Sequence, residues 1–181
     1  MKIRKRLYGL NNNDLSEEKW GNFIEEISSA LGSFVITFNC LDQLITVSIV
    51  HLLGPLSNEQ EEQLYLIISK KHFAQRLQDL ENLTLNKILQ IQPGEQVRIR
   101  INNLFKEIYE INERRNKYIH ADWYDTEDHV SSIIVRSKTR IDPKGIYHEY
   151  FKCSVEEIES DEERCDLVID KLEKIINEIM K

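Results

Sequence analysis

The sequence predicts a mostly α-helical protein: a bundle of four to five helices with a small β-hairpin near residues 130–152. Through most of the chain, apolar residues recur at the three- and four-residue spacing of amphipathic helices. Only six Gly and three Pro interrupt the 181 residues, which favours long regular elements. This length is enough to bury a core, so we predict a single domain covering residues 1–181.

Two helices are predicted in the first third of the chain, with a break between them at Gly32. The second helix, about residues 34–53, is the most apolar stretch of the sequence and is long enough to span a membrane. Asp42 lies near its centre, where a charge would be costly in lipid. We therefore predict a buried helix and no membrane partner. Its apolar stripe is Phe34, Phe38, Leu41, Ile45, Ile49 and Leu52.

The same helical spacing predicts two further helices, after which the hydrophobic pattern changes to one typical of strands. A third helix is predicted over about residues 59–83 and a fourth, the long one, over about 95–120. Residues 130–152 are rich in β-branched and aromatic side chains around a "DPKG" turn, which predicts a two-stranded hairpin. The chain then continues as an acidic helix over about residues 154–181.

Composition limits the environment of the protein. Three cysteines without ligand-like spacing indicate reduced thiols, and neither a disulfide framework nor a zinc site is expected. The basic start "MKIRKR" is not followed by the apolar run of a secretory signal. We predict a cytoplasmic protein with no cofactor and no metal.

The net charge of −7 is unevenly distributed along the chain. Residues 154–181 carry ten acidic and four basic side chains, a local charge of −6. Residues 97–120 carry six basic side chains and three glutamates, a local charge of +3. Because attraction to phosphate is local and screened by salt, the overall negative charge does not exclude an RNA substrate.

An arginine interrupts the apolar stripe of the fourth helix near its end. The predicted buried face consists of Ile101, Leu104, Phe105, Ile108 and Ile111. Further steps of four lead to Arg115, where an aliphatic residue is expected, and then to Ile119. A charge in such a place needs a partner or a cleft, because burying it alone is costly. The neighbouring Arg114 is interpreted as an ordinary surface residue.

Two further polar residues accompany that arginine. Asn116 and His120 are four residues apart and share a face of the helix. Arg115 and His120 are five apart, about 140° around an ideal helix. They converge only if the arginine side chain curls round or the helix ends near His120.

This set of side chains suits metal-independent cleavage of RNA through its own 2′-hydroxyl. The reaction needs a base, an acid, and a cation facing the phosphate as negative charge develops. Histidine can transfer protons near neutral pH, and the forked guanidinium of arginine matches phosphate oxygens. We predict that His120 transfers protons, Arg115 stabilises charge and Asn116 orients either the histidine or the phosphate.

The segment "RNKYIH", Arg115–Asn116–x3–His120, resembles the R-x4–6-H motif of the HEPN superfamily, in which a polar residue often follows the arginine. The resemblance covers about residues 20–125, although only the six-residue motif is specific. It implies a helical bundle and metal-independent endoribonuclease activity. It further implies a homodimer in which two motifs share one cleft, and roles as a toxin or anti-invader effector with an antitoxin protein as partner. Position 122 is Asp, whereas antitoxin-paired members often carry Tyr there.

Other interpretations of the motif remain open. Arg115 could be a structural arginine paired with Asp122 or a carboxylate of the C-terminal helix, and His120 a C-terminal cap. The same cleft could belong to a non-catalytic module that binds a nucleotide or a protein.

Two other groups of residues are weaker candidates. The acidic loop that follows the fourth predicted helix, called the exit loop below, could hold a metal ion. A basic cluster before the middle of the chain could extend a phosphate-facing patch, although a plain surface role is simpler. The loop comprises His120, Asp122, Asp125, Asp128 and His129, and the cluster comprises His72, Lys70, Lys71 and Arg76.

Overall fold

The computed structural model describes the backbone of residues 17–91, 94–120, 122–124, 133–142 and 145–180, and the side chains of 25–91, 94–120 and 153–180. Within these residues the protein is mostly helical, as the sequence predicts. The helices are α1 (Glu17–Leu52), α2 (Asn58–Ser69), α3 (Phe73–Ile91), α4 (Glu95–Ile119) and α5 (Val155–Ile179). The strands are β1 (Asp122–Tyr124), β2 (Ile133–Asp142) and β3 (Gly145–Ser154).

The predicted break at Gly32 is wrong, because α1 runs through it without interruption. A glycine inside a helix costs only about 1 kcal/mol relative to alanine, which packing on both sides of it can offset. The helix ends instead at Leu52, and Gly54 follows with a φ of 108°, a left-handed conformation that glycine adopts without strain. The sequence predicted this end correctly.

The helix predicted over about residues 59–83 is two helices, with a break at Lys70–His72 that contains neither Gly nor Pro. The carbonyl oxygen of His72 accepts the first helical hydrogen bonds of α3, from the backbone N–H groups of Gln75 and Arg76. In return, the side chain of Gln75 accepts from the backbone N–H of His72. Local side-chain caps of this kind start a helix without a conspicuous breaker residue.

The buried faces of the long helices match the predicted stripes closely. All six stripe residues of α1 are buried, and so are the five predicted for α4, from Ile101 to Ile111. The same spacing predicts burial of Ile67 and Ile68 in α2 and of Leu167 and Val168 in α5. Two of these predictions are wrong, because Ile67 is 61% exposed and Leu167 is 59% exposed. The other two are confirmed, since Ile68 and Val168 are buried.

The three strands form one antiparallel sheet in the order β1-β2-β3. β2 and β3 pair from Ile133 opposite Ser154 to Asp142 opposite Gly145, over the stretch for which a hairpin was predicted. The sequence did not predict the three-residue strand β1. The side chains of residues 121–152 lie outside the described residues.

The chain divides into two compact units, and helices α1, α4 and α5 each contribute residues to both. One unit comprises Met1–Val35 and Arg114–Asp161, and the other comprises Ile36–Glu113 and Glu162–Lys181. The first unit contains the residues of the candidate motif. In the second, the described residues form helices and the short connections between them, and no strand.

Polar contacts join four helices of the second unit in a closed ring. Asp42 of α1 pairs with Arg76 of α3, and Tyr109 of α4 donates a hydrogen bond to Glu81 of α3. Thr37 of α1 donates to Glu162 of α5. α4 and α5 run antiparallel and are linked by ion pairs along their length, namely Arg100–Glu178, Lys171–Glu107 and Arg164–Glu110. The basic side of α4 and the acidic side of α5 are therefore partly neutralised by each other.

The aspartate within the apolar helix α1 has a partner from α3. Arg76 is 8% exposed, and its Nη2 donates to both carboxylate oxygens of Asp42, at 2.5 and 2.6 Å. Its Nη1 donates to Thr46 at 3.2 Å and to the carbonyl oxygen of Ser69 at 3.5 Å. An acidic residue can lie in this helix because the guanidinium neutralises it.

Among the described residues one helical stretch, Glu25–Leu52, is long and apolar enough to cross a membrane by length and composition. The core helix of a soluble protein passes the same test, and the six stripe residues of this stretch are buried within the protein. A cytoplasmic location stays a prediction.

Tyr109 is expected to make the protein less stable at alkaline pH. Burial and the hydrogen bond to Glu81 raise the pKa of Tyr109 from 10.0 to about 12. Between these values the unfolded chain releases the proton and the folded chain keeps it, so the free energy of unfolding falls as pH rises. We expect urea denaturation of Tyr109→Phe to show a smaller fall from pH 10 to pH 12 than the wild type. Parallel profiles for the two proteins would contradict this.

Candidate functional site

The buried stripe of α4 does not end at the arginine. It continues from Ile111 to Tyr118, which is 1% exposed, and the predicted continuation at Ile119 is wrong because that residue is 41% exposed. Seven residues make almost two full turns, whereas eight overshoot by about 80°. Arg114 and Arg115 flank the stripe on either side and are both half-buried.

The structure brings Arg115 and Asn116 together at the end of α4. Nη1 of Arg115 donates to the side-chain oxygen of Asn116 at 3.1 Å. The main-chain carbonyl oxygen of Asn116 accepts the backbone N–H of His120 at 3.2 Å, in the last turn of the helix. Asn116 and His120 are exposed. Asn116 and His120 thus lie on a solvent-facing strip with the half-buried Arg115 at its edge, and no hydrogen bond or ion pair between described side chains joins His120 to the other two.

Arg114 is not an ordinary surface residue, contrary to the prediction. Its Nη1 lies 2.7 Å from a carboxylate oxygen of Glu157, and its Nε lies 3.7 Å from Asp161. These carboxylates belong to α5, so the pairing with the C-terminal helix that was considered for Arg115 is made by Arg114. The two adjacent arginines therefore differ in role: one links two helices and the other lies beside Asn116.

Tyr118 holds the same end of α4 from its buried side. Its hydroxyl donates to Asp161, which is 8% exposed, and the ring of Phe34 meets the Tyr118 ring edge-on at 5.4 Å. Burial and the Asp161 hydrogen bond raise the pKa of Tyr118 far above its ordinary value, so the phenol stays protonated and donates. Burial lowers the pKa of Arg114, but the attraction of Asp161 and the hydrogen bond and charge of Glu157 together outweigh it, and the pKa is raised overall.

These contacts fix the backbone that carries the motif. Tyr118 and Arg114 are anchored on α5, while Asn116 and His120, on the other side of the helix, remain accessible. Such an arrangement can fix the backbone beneath an arginine and an imidazole without covering their side chains. Sequence reasoning missed Tyr118 and Asp161. The signal was available in the seven-residue step from Ile111.

The positive charge near the motif is smaller than the sequence alone suggests. Arg100 and Arg114 of α4 pair with carboxylates of α5. Arg98 and Lys117 are exposed on the same helix. A phosphate approaching α4 would therefore meet a few separate cations, and Lys117 is the nearest exposed one in sequence to Asn116.

The other basic cluster cannot include Arg76 in a phosphate-facing patch. Arg76 is buried in its ion pair with Asp42, and Lys71 pairs with Asp79 at 2.7 Å. His72 is exposed at the start of α3. The contribution of Arg76 to a phosphate-facing patch is thus excluded.

The metal interpretation concerns residues that are only partly described. In the part of the chain that the structure describes, no group of three or more His, Cys, Asp or Glu residues is placed to hold a metal ion. Asp125, Asp128 and His129 of the exit loop lie outside the described residues, as does the side chain of Asp122.

Comparisons with known proteins identify no relative of this chain. The chain matches no protein-family model, no curated protein and no solved structure. The resemblance to the HEPN superfamily therefore depends on the motif Arg115–Asn116–x3–His120 and its helical setting.

Proposed function

We propose that this chain is a metal-independent endoribonuclease of the HEPN type. The observation that carries the proposal is the strip at the end of α4, where Arg115 donates to Asn116 and both Asn116 and His120 face solvent. The anchoring of Arg114 and Tyr118 on α5 supports a strip of fixed geometry.

In the proposed reaction the 2′-hydroxyl of RNA attacks the adjacent phosphorus. A base removes the 2′ proton as the new O–P bond forms. The bond to the 5′ oxygen breaks, and that oxygen takes a proton from an acid. His120 transfers protons, Arg115 stabilises the negative charge on the phosphate oxygens, and Asn116 orients Arg115. The products carry a 2′,3′-cyclic phosphate and a 5′-hydroxyl.

The proposal includes a homodimer with a shared cleft. One imidazole per motif does not easily serve as base and acid in the same step, and a two-fold axis would supply the second. Ile119 supports a contact on this strip, because it lies between Arg115 and Asn116 around the helix and is 41% exposed. A second copy would cover this apolar side chain.

The proposed biological role follows from the same resemblance. An RNA-cleaving enzyme without cofactor fits a toxin or an anti-invader effector of the cytoplasm, with an antitoxin protein as its partner. The alternative is a module that binds a nucleotide or a protein at this strip without cleaving RNA.

The test is cleavage of single-stranded RNA by the purified chain in excess chelator. We expect Arg115→Ala to lose about 10²- to 10³-fold in rate, as expected on removal of a group that stabilises transition-state charge. Arg98→Ala, which removes an exposed arginine from the same helix, is the matched control and should retain most of the activity. Product ends are identified by their cyclic phosphates.

Three outcomes count against the proposal. Wild-type rates in Arg115→Ala would remove this residue from the site. Loss of cleavage in chelator would overturn metal independence. Binding of RNA by the wild type without cleavage would favour the non-catalytic module.

A further inference from the structure

A groove between α1 and α2 lies in the helical unit that does not contain the motif. It is a cavity of about 470 Å³, within the range of ligand-binding clefts. Val47 and Val50 of α1 form one wall, and Tyr65 and Leu66 of α2 form the other. The volume is large enough for one or two bulky apolar side chains.

The α2 side of this groove is incompletely covered by the protein. Ile68 is the buried residue of this twelve-residue helix. Leu66 and Ile67 are 60% and 61% exposed, and Leu53, just after α1, is 47% exposed. Single exposed apolar residues are ordinary on protein surfaces, but a group of them beside a cleft indicates an interaction site.

The rim of the groove is acidic. Glu61 and Glu62 line it, and α2 carries a third glutamate, Glu59, but no lysine or arginine. None of the three forms an ion pair with a residue whose side chain the structure describes. His51 is the other titratable group that lines the cavity.

These glutamates are not required to cap the helix. Ser57 and Gln60 form a complete capping box at the start of α2. The carboxylates of Glu61 and Glu62 are therefore available to a partner. They also disfavour RNA at this surface, because phosphates would be repelled.

We propose that this groove binds a basic amphipathic helix of a partner protein. Glu61 lies four residues before Tyr65, and Glu62 lies four residues before Leu66. Each carboxylate is therefore about one helical turn from the apolar wall of the groove. A helix that places a leucine or phenylalanine in the cavity and a lysine or arginine one turn away matches both features. Helix-in-groove recognition uses anchors at this spacing.

The test uses the full chain and a fluorescent peptide of about 15 residues, the length at which an isolated helix begins to form. The peptide has leucines at i, i+3, i+4 and i+7 and lysines elsewhere. We expect Glu61→Gln/Glu62→Gln to weaken binding about five- to tenfold at low salt, as the loss of two surface ion pairs would. Leu66→Ser should weaken it similarly, and a peptide with glutamates in place of the lysines should not bind.

The matched control is Glu163→Gln/Glu173→Gln, which changes the net charge equally at two exposed residues of α5. Equal weakening by the two double variants would overturn the proposal, since attraction would then be unspecific. Unchanged binding by Leu66→Ser would do the same. A change of oligomeric state in Leu66→Ser would assign the groove to a second copy of the chain and so exclude the partner helix.

Discussion

Replacing Arg76 by alanine is expected to lower the free energy of unfolding by about 3 kcal/mol, because it leaves a largely buried carboxylate unpaired. Arg76 is 8% exposed and binds both carboxylate oxygens of Asp42, whose side chain is 28% exposed. The substitution also removes the donors to Thr46 and to the carbonyl oxygen of Ser69 at the end of α2. Urea denaturation at neutral pH measures the loss.

The control is an ion pair of the same type at the surface. Lys71 pairs with Asp79, and their side chains are 43% and 39% exposed. Lys71→Ala should cost less than about 1 kcal/mol. The double variant Asp42→Leu/Arg76→Met should recover most of the stability lost in Arg76→Ala, because no charge is then left buried. Equal losses of unfolding free energy for Arg76→Ala and Lys71→Ala would show that the buried pair stabilises the protein no more than the exposed pair does.

The buried face of each long helix could be predicted from the sequence because periodic apolar burial leaves a direct signal. The stripe of α4 and its ends at Glu95 and Ile119 follow from spacing and from the turn residues around them. Breaks between helices were less predictable. Gly32 looks like a break and is not one, whereas Lys70–His72 is a break without a breaker residue. In both cases tertiary packing and local caps outweigh residue preference.

Contacts between distant residues explain why the charged network was missed. Arg76 and Asp42 are 34 residues apart, and Tyr118 and Asp161 are 43 apart. Nothing in local periodicity specifies such pairings. A lone aspartate in an apolar helix does indicate that a cation must face it, which is the signal that could have led to Arg76.

In the candidate site, too, the local motif could be predicted from the sequence and the contacts with distant residues could not. The motif identified Arg115, Asn116 and His120 as a group, and the structure places a hydrogen bond between the first two. It was the wrong step along the stripe, to Ile119 in place of Tyr118, that assigned Arg114 to the surface. The anchor on α5 and the exposed strip are opposite sides of one helix end. Because Asn116 and His120 lie away from the anchor, we expect substitutions of these two residues to leave the protein folded.

Replacing His120 by alanine is expected to lower the rate of RNA cleavage by about 10²- to 10⁴-fold, the usual contribution of a general acid or base. His120 is exposed, and the hydrogen bond that the structure shows for it is made by its backbone, which alanine retains. Thermal unfolding and the affinity for RNA should therefore change little while kcat falls. His72→Ala, at another exposed histidine, is the control and should cleave at the wild-type rate.

Mixed dimers test whether two histidines act in one cleft. If base and acid come from different copies, a dimer with one His120→Ala chain is as inactive as one with two. Random pairing of equal amounts of wild type and variant then leaves about a quarter of the wild-type activity, since only a quarter of the dimers have two intact chains. If each copy acts alone, about half remains. Co-expression with two different affinity tags allows the mixed dimer to be isolated and assayed directly, and wild-type-like activity per intact chain in it would exclude the shared cleft.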